Sequence, residues 1–161
     1  GLLSECAEND LSHESTMKVR GMLTITNELE RIGDVFYQMS LTYKRKDEQK
    51  IWFTPEQRSN VKTLLEAVDE AFEEMTKNLK KPQKDVSIDN AMEIEKKINN
   101  LRDTFRAEHL SSIDKDEFNI RSGIIYTDLV HSCEKLGDHI LNVTEALIGK
   151  NLIGENFAKK D

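Results

Sequence analysis

A chain of 161 residues, 37% hydrophobic and 33% charged, is long enough for one domain with a real core and leaves wide polar faces. It contains no run of about 18 apolar residues, which excludes a bilayer span. A net charge of -7 argues against a nucleic-acid partner, which needs a basic face.

The elements are all helical, with two prolines and seven glycines in the whole chain. A short helical lead-in is expected over residues 2–10, too short to stand alone in water. The first long helix is expected from Ser15 to Asp47, with Met22, Ile25, Leu29, Ile32, Phe36 and Met39 as its apolar stripe. Lys44, Arg45 and Lys46 suit the negative end of its dipole. Trp52 and Phe53 are expected to tuck under the end of the bundle. The second helix opens on Thr54-Pro55-Glu56-Gln57, a capping box with Pro at the first helical position. It buries Val61, Leu64, Leu65, Val68, Phe72, Met75 and Leu79, and stops before Pro82.

A third helix is expected from Ser87 or Asp89, with Met92, Ile94, Ile98, Leu101, Phe105 and Leu110 inward. The fourth is expected from Asp114, with Glu117 at the capping-box offset, to Ile148. Its stripe is Phe118, Ile125, Leu129, Leu136, Ile140, Val143 and Leu147. Residues 151–161 are expected to form a flexible tail. With short connections, consecutive helices become antiparallel neighbours in an elongated up-down bundle of four long helices, an all-α fold.

Two segments repeat. NELERIGDVFYQMS (27–40) and HSCEKLGDHILNVT (131–144) each carry Glu, a basic residue, an aliphatic residue, Gly and Asp in that order. The offset is 104 residues, 138 minus 34. At 100° per residue, Asn27, Glu30, Asp34 and Gln38 share one narrow face, as do His131, Glu134, Asp138 and Asn142. Gly33 and Gly137 sit beside the apolar sector, where a missing side chain admits a neighbouring helix. A glycine inside a helix costs about 0.5–1 kcal/mol relative to alanine, so its recurrence points to packing.

Carboxylates at i and i+4 stand about 5–6 Å apart and can share a cation. Oxygen ligands suit Mg, Ca or Mn, and the added imidazole of His131 suits Fe or Zn. The metal candidates are therefore Glu30, Asp34, Glu134, Asp138 and His131. The plainer reading is a solvated acidic face, since repulsion at i, i+4 costs only a few tenths of a kcal/mol. Packing asks Gly and the aliphatics to recur but not the acids, and that favours a shared role.

The other histidines carry less. His13 belongs to a helix start, His109 to a helix end, and His139 is expected at the surface. Cys133 is expected to be a core thiol. With Cys6 it forms no CxxC pattern, so a reducing compartment is the simpler reading. There is no phosphate-cradling glycine loop and no nucleophile elbow. The one His-x-x-Glu runs opposite to the Glu-x-x-His of di-iron oxidases. No enzymatic activity is expected.

ITNELERIGDVFYQ and VHSCEKLGDHILNV together resemble the signature helix of PhoU proteins, whose acidic E/D-x-x-x-D motif Glu30/Asp34 and Glu134/Asp138 match. The resemblance implies three-helix units with the motif on the third helix. Residues 51–150 would be a complete unit and residues 1–50 the end of a preceding one, with LLSECAENDL as the last turns of that unit's second helix. It implies a role in phosphate signalling and, in some members, Fe or Zn bound through the motif. The first residue is Gly with no signal segment, so a fragment of a longer protein is expected. Beginning in mid-unit looks most like the cytosolic C-terminal domain of a sodium/phosphate cotransporter. That places it on the cytoplasmic side of the inner membrane, with the membrane portion of the same chain as its partner. A free-standing adaptor acting on a transporter or kinase in trans is the alternative. Phosphate-signalling proteins and a homodimer remain open as partners.

Overall fold

The computed structural model describes residues 1–114 and 119–149. Four long helices follow one another: α1 (Leu2–Glu48), α2 (Pro55–Leu79), α3 (Asp89–Asp114) and α4 (Ile120–Leu147), with a short 3-10 turn, Gln83–Asp85, between α2 and α3. Among the described residues there is no strand, and no helix is long and apolar enough to cross a membrane.

Residues 2–10 form no separate element. They continue into α1, a helix of 47 residues, about 70 Å long at 1.5 Å per residue. Nothing between Leu2 and Ser15 breaks a helix, so lead-in and first helix fuse. The reading of LLSECAENDL as turns of a different helix fails for the same reason.

α2 starts as its sequence requires. The Thr54 side chain accepts from the Gln57 backbone N–H, and the Gln57 side chain accepts from the Thr54 N–H at 3.0 Å. α4 starts six residues later than expected. Asp114 closes α3, and the Asn119 side chain caps α4 by accepting from the Ser122 N–H at 3.1 Å. Glu117, Phe118 and the tail 151–161 lie outside the described residues.

The helices do not pack as a ring of sequence neighbours. α4 lies at the centre and packs on α1, α2 and α3; α2 and α3 also pack on each other. α1 runs antiparallel along α4, with Gly21 against the Ala146 carbonyl and Arg45 3.5 Å from Asp128. It touches α2 chiefly where Phe36 and Phe72 stack at 5.7 Å. The core is accordingly richest along α4: Ile125, Leu129, Leu136, Ile140 and Val143 are buried, together with Leu64 and Val68 of α2 and Ile98 and Phe105 of α3. Only part of the expected α1 stripe joins it. Ile32 and Met39 are buried, whereas Met22, Leu29 and Phe36 are 67%, 42% and 44% exposed. One neighbour covers a narrower sector than the sequence stripe spans.

Trp52 does not tuck in; it is 82% exposed. Phe53 takes the inward position instead, edge-on to Tyr126 at 6.3 Å and under Lys46 Nζ at 5.1 Å. Lys50, at φ 51°, turns the chain just before the two rings.

Candidate functional site

The second acidic copy lies on α4 where it faces α3. Glu134 accepts hydrogen bonds from two guanidinium groups: Arg102 at short range, and Arg106 at 3.4 Å. His131 Nδ1 lies 3.5 Å from the same carboxylate. Arg102 also donates to Asp103 at 3.0 Å. That bond, more than its contact with Glu134, raises its affinity for the proton against the cost of burial. Asp138, one turn along, is exposed at the edge of the α3/α4 contact, and its pKa is raised. Burial is the main cause, followed by the negative charges of Glu95 and Glu134 and a hydrogen bond with Glu95. Glu95, which the sequence reading did not single out, thus makes a run of three acids in one groove.

The first copy has no such groove. Glu30 and Asp34 are exposed on α1, because among the described residues no helix stands beside them as α3 stands beside Glu134. The two acidic pairs therefore face different surroundings. Among the described residues, no three of His, Cys, Asp or Glu come together to hold a metal ion. Metal chemistry fits the donor set poorly as arranged: a cation at Glu134 must displace Arg102. Asp138 and Glu95, which repel when both are ionised, are the donors that would gain from one.

The glycines divide in the same way. A Cβ on Gly137 would lie 3.1 Å from Ile98 Cδ1, so α3 packs here as closely as expected. Around Gly33 nothing among the described residues lies within 4 Å, and among them its expected packing role has no partner. Cys133 is wholly buried, and burial pushes its thiol up to about 12, as suits a core thiol.

A polar cluster between α1 and α4 escaped the sequence reading. Glu28, 7% exposed, holds His139 Nδ1 at 2.6 Å and accepts from Asn142 Nδ2 at 3.2 Å on one oxygen. Arg31 approaches its other oxygen at 3.7 Å. His139, expected at the surface, is an interface residue because α1 covers that side of α4. The signal was present in the repeat itself. Glu28 stands where the second copy has Ser132, and His139 where the first has Val35. The two departures from the repeat meet each other.

A family profile described as PhoU domain matches residues 60–147, more than half of the chain and including the whole of the second acidic copy. Searches of curated proteins and of solved structures returned no significant match.

Proposed function

Because the chain belongs to the PhoU family, we propose that it is a non-enzymatic regulatory domain of a sodium-dependent phosphate transporter, held on the cytoplasmic side of the membrane and passing phosphate status to it. The observation that carries this reading is the position of the family match. It ends in α4, which packs on every other long helix. A change in the α3/α4 groove at Glu134 and Asp138 therefore reaches α1 through one rigid element. Such a shift needs a ligand that favours one arrangement over another; the groove acids are where that preference would act.

The test begins with the native polypeptide that contains this sequence. We expect it in the membrane fraction after carbonate washing. We also expect Glu134→Gln in the full-length protein to change phosphate uptake or its dependence on external phosphate without lowering protein abundance. A polypeptide found wholly in the soluble fraction would sink the transporter reading and leave the adaptor in trans. Unchanged uptake would remove the groove from the mechanism.

Cation binding is a separate part of this proposal. Glu134 and Asp138, with His131 beside them, are the residues that would hold an ion on α4, and Glu30 and Asp34 those on α1. Fe, Zn, Mn, Mg and Ca are the ions to try, by titration calorimetry on the wild type and on Asp138→Ala. Equal affinity in both proteins would withdraw the assignment. The proposed signalling runs through no metal step.

A further inference from the structure

α2 and α4 run parallel, and two polar contacts fix their register. Gln57 Oε1 accepts from Ser122 Oγ at 3.0 Å, and Asn60 Nδ2 donates to the Tyr126 hydroxyl at 3.1 Å. Asn78 and Thr144 each lie 18 residues further on (78 minus 60, 144 minus 126), which is five helical turns. They therefore face each other at the other end of the pair, and both are 0% exposed. Azimuth agrees with level. Measured around α4 from Thr144, Gly137 under Ile98 of α3 lies at about 20°, whereas Asn142 and Ala146, which meet α1, lie at about 160° and 200°. Thr144 thus points away from α1, into the space between α2 and α3. On α2, Glu74 and Asn78 fall between the side that meets α3, at Glu70, and the side that meets α4, at Asn60. Two turns beyond the Gly137–Ile98 contact, α3 offers only the small side chain of Ala91 opposite Thr144.

A carboxylate, an amide and a hydroxyl converge there in the interior, Glu74 being 8% exposed. None is well satisfied. Asn78 Nδ2 donates to Glu74 at 3.4 Å and to the Ser87 carbonyl at 3.3 Å, and its Oδ1 accepts from Lys81 Nζ at 3.5 Å, all at the long end of the hydrogen-bond range. Among the described residues, Thr144 Oγ1 has no hydrogen-bond partner, and the one polar contact of the Glu74 side chain is Asn78.

We propose that these groups bind one alkali-metal cation, sodium or potassium. Its ligands are the Glu74 carboxylate, Thr144 Oγ1, the Ser87 carbonyl and, after a half-turn of its amide, Asn78 Oδ1. A set made only of oxygens selects a hard ion. The lone carboxylate sets the charge: one positive charge leaves the interior neutral, whereas calcium or magnesium would bury a net charge. A water molecule would satisfy Thr144 but leave the carboxylate uncompensated, the costlier of the two defects. Lys81, exposed at the rim, stops at Asn78. The ion ties the α2–α3 connection to α4, and its site depends neither on the acidic repeat nor on the transporter reading.

The test is thermal unfolding of the whole chain in sodium, potassium and choline chloride at equal ionic strength, which holds screening constant. We expect the midpoint in one or both alkali salts to exceed that in choline chloride by about 3–6 °C at ten times Kd. Thr144→Val, which keeps the shape and removes the hydroxyl, and Glu74→Gln, which removes the charge, should each abolish the difference. The sodium NMR line should broaden with the wild type and not with either variant. A hydroxyl that serves packing alone would shift the midpoint equally in all three salts. Equal wild-type midpoints in the three salts overturn the proposal and leave the cluster to water. An alkali response that survives both substitutions overturns it too, as does a response to calcium and to neither alkali ion.

Discussion

Asp138 illustrates how one side chain couples charge to stability. Folding raises its pKa, through burial first and then through Glu95 and Glu134. The folded chain therefore holds this proton more tightly than the unfolded chain does. The group's contribution is most favourable below the unfolded carboxyl pKa of about 3.9 and is lost as pH rises through the folded value. Asp138→Asn, which cannot ionise, should raise stability in urea at pH 7, and the gain should vanish near pH 3.5 or below. An equal gain at both pH values would assign it to packing. What was legible in the sequence was position: the spacing put Glu134 and Asp138 on one face. The arginines and Glu95 were not legible, because which residues of α3 face α4 depends on the register between two helices. Periodicity within each helix leaves that register undetermined.

At the scale of elements, the question is what holds so long a helix as α1 chiefly on one neighbour, α4. Apolar contact from Ile32 and Met39 supplies part, and the Glu28–His139–Asn142 cluster supplies direction. A buried carboxylate is costly unless its lone pairs are satisfied. Glu28 is satisfied only when α1 and α4 are in this one register. His139→Ala should therefore destabilise the chain by about 1–3 kcal/mol and Ser132→Ala much less, measured by chemical denaturation. Similar losses at both positions would show that the cluster has no special place in the contact. Helix boundaries were read well where local chemistry decides them, as at Thr54 and Gln57. They were misread at α4, where Asn119 caps in place of Asp114, and in the opening residues, where no stop signal separates the lead-in from the helix. Gly33 and Gly137 looked alike in sequence. Only Gly137 recovers its backbone cost of about 0.5–1 kcal/mol, through the close approach of Ile98.

For the molecule as a whole, the all-α architecture and the acidic repeat were readable from spacing, but the order of packing was not. Short connections suggested a succession of neighbours, yet α1 skips α2 and lies on α4. Burial decides this: α4 is apolar on enough of its circumference to take three partners, a property of the assembled core and not of any loop. The same arrangement sets the one indole of the chain, Trp52, at the outer turn between α1 and α2, 82% exposed. Its emission in the native state should already be that of an indole in water, readily quenched by iodide. Urea should melt the helices in a cooperative far-ultraviolet transition while the tryptophan signal drifts without a step. A sigmoidal blue-to-red change at the same midpoint would mean that the ring is sheltered in solution. For this chain the customary optical reporter of folding is a spectator, and a tryptophan placed at Phe53, against Tyr126, would be the one that sees the core come apart.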